Sequence, residues 1–146
     1  MSIKKYFGIK ELVCRHVYNK HGENAWAFFD PRLLETLLWI REHIGKPIIV
    51  NNWSSGGTYT QRGLRCNLCE LVRSKTNSQT LYMSAHIQGS AVDFDVVGMT
   101  AAEVRKWLFA HASELPHPIR VEADVTWNHI DLRNNGSKGK VITFKG

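Results

Sequence analysis

The sequence predicts an α+β domain, with an antiparallel β-sheet and helices packed on one face. Three observations predict it. Two stretches, Asp30 to Ile44 and Thr100 to about Leu115, carry apolar residues at helical spacing between a capping residue and a Gly or Pro stop. Short β-branched runs stand between and after them: Ile48 to Val50, Ala91 to Val97, Ile119 to Glu122, Trp127 to Leu132 and Val141 to Phe144. Turn chemistry, above all Asn135-Gly136, separates the last two runs. At 146 residues the chain is expected to be one domain, residues 1–146, long enough to bury a core.

Tyr6 to Val13 reads as a short lead-in segment around Ile9, Leu12 and Val13. Residues 14–29 are mixed in character and broken by Gly22; their aromatic cluster, Trp26, Phe28 and Phe29, reads as core packing. Asp30 suits an N-cap and Pro31 the first helical position, while Gly45 and Pro47 end that helix. Leu33, Leu34, Leu37, Leu38, Trp39, Ile40 and Ile44 recur at helical spacing over three turns. Residues 51–65 are loop, rich in Gly, Ser, Thr and Asn, and hold no phosphate-binding glycine motif. Residues 66–83 continue irregularly, with Leu68, Leu71 and Val72 hinting at one or two helical turns. Thr100-Ala101-Ala102-Glu103 is a capping box, Val104, Trp107 and Leu108 make an apolar stripe, and Pro116 and Pro118 stop the helix. His43, His111 and His117 read as surface residues. The three C-terminal runs read as an antiparallel meander whose last two strands form an Asn-Gly hairpin.

Composition narrows the function. Hydrophobic content of 43% and charged content of 22% are ordinary for a globular chain. No apolar run reaches the ~18 residues of a membrane span, and no apolar region follows Lys4 and Lys5 as a signal peptide requires. The chain is expected to start in the cytoplasm. A net charge of +6 suits an anionic partner, but the cations are scattered, without the clustered Lys/Arg and interleaved aromatics of a nucleic-acid surface. Cys14, Cys66 and Cys69 are an odd number, which argues against a disulfide framework. Cys66 and Cys69 form a C-x-x-C with no second pair. Cys14 and His16 can complete four ligands on paper, but free thiols packed against the domain are the expected arrangement.

The chemistry concentrates in Ser84 to Asp95. His86 and Asp93 flank Gly89, which permits a tight bend or a close backbone approach. Imidazole and carboxylate are usual zinc ligands, and a catalytic zinc needs a third protein ligand plus an open position. A lone His and Asp at this spacing would read as turn residues. His129, in Trp127-Asn128-His129-Ile130-Asp131, supplies the third ligand on a strand where His129 and Asp131 share a face. Zinc so held would activate water, and Glu122 or Asp124, just before that strand, can take the proton. Arg62 and Arg65, in the loop, have the chemistry to grip a carboxylate or an oxyanion.

Ser84-x-His86-x-x-Gly89-x-x-x-Asp93, then Glu122, then Trp127-x-His129-x-Asp131, resembles the zinc peptidoglycan peptidases. These are the D-alanyl-D-alanine carboxypeptidases and dipeptidases and the L-alanyl-D-glutamate endopeptidases, whose fold is shared with the hedgehog signalling domain. The resemblance runs from Val50 to Leu132 and is closest to short phage-type, endolysin-like members. It implies Zn2+ on His86, Asp93 and His129, Glu122 as general base, and Arg62 or Arg65 steadying the substrate. It implies a monomer that hydrolyses a bond beside a D-amino acid in peptidoglycan stem peptides, with no nucleic-acid or membrane partner. A holin would release it to the cell wall. Glu122 departs from the pattern: it lies seven residues before His129, where three to six is usual. A non-catalytic, zinc-stabilised wall or virion binding module is the alternative.

Overall fold

A computed structural model describes residues 2–146. Five helices appear in chain order: α1 (Ile9–Leu12), α2 (Arg15–His21), α3 (Pro31–Ile44), α4 (Glu70–Arg73) and α5 (Ala101–Ala110). The strands are β1 (Ile48–Ile49), β2 (Ala91–Val96), β3 (Ile119–Glu122), β4 (Asn128–Asp131) and β5 (Val141–Phe144). They form one sheet in the order β1-β2-β4-β3-β5, mostly antiparallel, so the class is α+β as expected.

The capping signals act as the sequence indicates. Asp30 accepts from the Arg32 amide at 2.9 Å and Gly45 leaves α3 in the left-handed region at φ 67°. Thr100 accepts from the Glu103 amide at 3.1 Å. Phe29 is buried as expected of its cluster, but Phe28 is exposed, its ring edge-on to His21. His117 meets Glu35 of α3 at 2.5 Å, a surface pair between elements far apart in sequence.

The C-terminal meander is corrected. β5 does not pair with β4; it pairs with β3, in parallel, with Ile119 opposite Val141 and Glu122 opposite Phe144. The loop around Gly136 reverses the chain as Asn-Gly suggests, so β5 does run antiparallel to β4. Both edges of β4 are already taken, however, by β2 and β3. The returning strand lands one place further out, where its direction matches β3. Asn134 ties the loop down by donating to the carbonyls of Ile119, Gly139 and Lys140.

The sheet has two unlike faces. Val92, Phe94, Ile130, Ile119 and Val121 point to the core, where Val104 and Leu108 of α5 and Leu33, Leu37 and Ile40 of α3 are buried. Each such side chain contributes about 1.5–3 kcal/mol by leaving water. The alternate residues, Asp93, Asp95, His129, Asp131, Arg120 and Glu122, share the opposite face.

A strap, residues 62–66, fastened on both sides by backbone, runs along β2 and brings the Arg65 side chain to Asp93 and the Gly63 carbonyl to His86. The Arg62 carbonyl accepts from Asp93 at 2.7 Å, and Leu64 bridges in parallel to Val13. Gly63 is obligatory, because a Cβ there would lie 2.0 Å from the Leu12 carbonyl oxygen. Gly89 meets both expectations at once: its φ is +67°, and a Cβ would lie 2.1 Å from the Phe28 carbonyl oxygen.

Candidate metal centres

His86, Asp93 and His129 converge. Asp93 and His129 are register partners on β2 and β4, so adjacent strands bring them together. His86 arrives from the turn before β2. One ligand atom from each lies within 4.8 Å of the others, and all three residues are buried. His129 Nδ1 stands 2.7 Å from Asp93 Oδ1, and His86 Nε2 stands 3.3 Å from Asp93 Oδ2.

The far ring nitrogens are held too. His86 Nδ1 donates to the Gly63 carbonyl at 2.9 Å. His129 Nε2 donates to Asp131 Oδ2 at 2.8 Å, and Asp131 accepts two bonds from the Arg120 guanidinium, each 2.9 Å. Each imidazole therefore turns its other nitrogen toward Asp93, the tautomer arrangement that metal-ligating histidines need. This is the fit to a metal: two nitrogens and a carboxylate, their outer partners already in place. A tetrahedral metal spaces such ligands roughly 3.4 Å apart, given bonds of about 2.1 Å. The 2.7 Å contact is instead a hydrogen bond, so a proton ties His129 to Asp93 where a metal would stand.

The electrostatics agree. Burial alone would lower the His129 pKa, but hydrogen bonds to Asp131 and Asp93 win and raise it to about 9. Burial would raise Asp93 and Asp131. The bonds from His129 and His86 hold Asp93 far below the usual carboxylate range, and those from His129 and Arg120 hold Asp131 down to about 2.

A cleft of about 550 Å³ opens beside Asp93, lined by Tyr59, Arg62, Arg65, Asp95, Thr126 and Trp127 among others. Both predicted arginines line it. Arg65 donates to Asp93 Oδ2 at 3.2 Å; Arg62 lies over the Tyr59 ring and pairs with Asp95 at 3.0 Å. The predicted bases do not line it. Glu122 shares the sheet face of His129, but its carboxylate stands where a side chain on Gly146 would be. Asp124 is exposed and meets Lys145 at 3.4 Å. Asp95, which sequence reasoning missed, is the carboxylate beside Asp93 in the cleft. Its signal was alternation along β2, since residues 93 and 95 share a face.

No family model, curated protein or solved structure matches the chain.

The three cysteines are free and packed against the domain as expected, and with His16 they form a second group. Cys14, His16, Cys66 and Cys69 offer ligand atoms within 4.8 Å of one another. No disulfide joins the cysteines. The Val13–Leu64 bridge is the cause: it lays the start of α2 against the end of the strap, so residues 50 apart in sequence meet. The Cys69 thiol donates to Cys14, which holds the Cys14 thiol down to about 5 and pushes Cys69 up. The four are compatible with a metal ion. Among the described residues, no helix is long and apolar enough to cross a membrane.

Proposed function

We propose that the chain is a zinc metallopeptidase acting on peptidoglycan stem peptides, at a bond beside a D-amino acid. The observation that carries this reading is the convergence of His86, Asp93 and His129, with Asp93 in the lining of a cleft rimmed by two arginines. Three protein ligands leave a fourth position, the signature of a hydrolytic rather than a closed site. Zinc held there would lower the pKa of a water to about 7 and polarise the scissile carbonyl.

The chain's own residues do the rest. Asp131, clamped by Arg120, keeps the Nε2 proton on His129, and Gly63 keeps the Nδ1 proton on His86. Arg65 reaches the cleft beside Asp93 and offers guanidinium donors to a developing oxyanion or a substrate carboxylate. Asp95 is the acceptor within the cleft for the proton of the attacking water, which it returns to the leaving amine. Glu122, the residue the family pattern points to, is the competing acceptor. The net charge of +6 favours approach to an anionic wall.

The test is mass spectrometry of peptidoglycan digested with the purified protein, with and without a chelator. Chelator-sensitive release of D-alanine, or of split stem peptides, is the expected result. Intact fragments from zinc-loaded protein overturn the reading. One observation favours the second reading, a zinc-stabilised wall-binding module: Glu122 and Asp124 both stand outside the cleft lining. Sedimentation with purified cell walls but no cleavage would establish it.

A further inference from the structure

We infer that Cys14, His16, Cys66 and Cys69 bind a second metal ion of the zinc class, a closed structural site that fastens the 62–66 strap. The inference does not depend on the peptidase reading.

The ligand spacing carries it. A tetrahedral ion with metal–sulfur bonds of about 2.3 Å and metal–nitrogen bonds of about 2.05 Å separates two sulfurs by roughly 3.8 Å and a sulfur from a nitrogen by roughly 3.6 Å. Cys14 Sγ lies 3.7 Å from Cys66 Sγ, and Cys66 Sγ lies 4.0 Å from Cys69 Sγ. His16 Nδ1 stands 3.6 Å from Cys66 Sγ and 3.9 Å from Cys69 Sγ. These are four of the six edges of such a tetrahedron, the other two lying within 4.8 Å, and the sulfur–sulfur edges are far too long for disulfides, whose sulfurs stand about 2.05 Å apart.

The local turns suit the role. Cys66 and Cys69 are joined by a turn in which the Cys69 amide donates to the Cys66 carbonyl at 3.2 Å. The Leu68 amide points at Cys66 Sγ at 3.4 Å, a bond that steadies a thiolate. Cys14 and Cys69 are buried; His16, on the outer side, closes the fourth corner. Three thiolates around a divalent ion leave one negative charge, and Arg15 and Arg73 line the adjoining cavity. Thiolate-rich tetrahedral sets select zinc over calcium or magnesium, which prefer oxygen.

The consequence lies in the strap. Cys66 ends it, and Gly63 and Arg65 just before it serve the other cluster: the Gly63 carbonyl orients His86, the Arg65 amide donates to the His86 carbonyl at 3.3 Å, and Arg65 reaches Asp93. An ion on the sulfurs anchors the strap at the end nearest those contacts.

Cobalt substitution of the full-length chain tests this. Tetrahedral thiolate ligation gives sulfur-to-cobalt charge-transfer absorption in the near ultraviolet, which the His/Asp cluster cannot give. Zinc-loaded wild type is expected to hold two ions per chain by elemental analysis. The His86→Ala/His129→Ala double variant is expected to hold one and to keep the full charge-transfer absorption. Cys66→Ser is expected to lose that absorption and to weaken the remaining site by about 10–100-fold, the range seen when outer partners of a metal site are lost. Should Cys66→Ser fail to fold, wild type alone decides. Cobalt bound without thiolate absorption overturns the inference, and so do three thiols that react as fast in zinc-loaded as in chelator-treated protein.

Discussion

The two ligand clusters share one five-residue strap, yet they are built on opposite principles. The His86–Asp93–His129 group is nitrogen and oxygen, two ligands on the sheet and one from the turn before β2, with an open cleft beside Asp93. The Cys14–His16–Cys66–Cys69 group is mostly sulfur, at the N-terminal ends of α2 and α4, with all four corners supplied by protein. Three protein ligands leave a position for chemistry, and four close the set into a clasp. The sheet supplies precision, since Asp93 and His129 are register partners and cannot slide apart without breaking β2 from β4. The Val13–Leu64 bridge frames one side of the sulfur group, and a metal there would tie α2, the strap and the start of α4 together.

The sharpest break in that comparison is a crossed pair of variants. His129→Ala is expected to take peptidoglycan hydrolysis to background while leaving the thiolate site filled. Cys69→Ser is expected to act on the fold instead, lowering unfolding free energy by more than about 4 kcal/mol, since loss of a structural metal belongs among the largest single-residue effects. Denaturant unfolding of both variants, alongside activity, checks this. If His129→Ala unfolds the chain and Cys69→Ser does not, the two roles are reversed.

Next in size is the choice of proton acceptor. A positioned general base contributes about 10²–10⁴-fold. If Asp95 serves, Asp95→Asn loses that factor in kcat and Glu122→Gln loses far less. The opposite pattern returns the role to Glu122. Initial rates on one defined stem peptide decide between them. Equal large losses would mean that neither acts alone.

Asp131→Asn probes the outer support of the open site. It removes the anion that Arg120 clamps and that holds His129 Nε2. Loss of such a partner costs about 10–100-fold in metal affinity. A competition titration with a chromophoric chelator reads it, and the thiolate-bound cobalt absorption should stay unchanged. A change in that absorption would mean that the clusters are not separate.

How much of this was visible in the sequence follows from the same contrast. His86, Asp93 and His129 were legible, because strand alternation and the Gly89 bend leave a local pattern. The helices α3 and α5 were legible from their caps. The sulfur cluster was half legible: Cys66-x-x-Cys69 is a visible pair, but its partners arrive through the Val13–Leu64 bridge, which no spacing announces. The place of β5 was hidden for the same reason. The turn at Asn135-Gly136 fixes its direction, but the long-range pairing of β2 with β4 decides which edge is free. Glu122 stood out through the family resemblance, and Asp95 was overlooked because its relation to the cleft depends on where the strap lies.

The smallest step expected is set by pH, and its sign distinguishes the open site from the clasp. In the metal-free protein, hydrogen bonds to Asp131 and Asp93 outweigh burial and raise His129 from 6.5 to about 9. A group raised in the folded state stabilises fully below its unfolded pKa, so this contribution is intact below 6.5 and is lost as pH rises through about 9. Metal binding runs the other way. The ion must displace the Nδ1 proton, so its apparent affinity for the open site should climb about tenfold per pH unit toward 9 and then level off. Cobalt titrations across this range, read in the visible bands that remain in Cys66→Ser, measure the slope. Asp131→Asn removes one of the two carboxylates facing the ring and should move the plateau to lower pH. A flat profile in both proteins would mean that His129 holds no proton at the metal position, and that the 2.7 Å contact with Asp93 is not the bond a metal replaces.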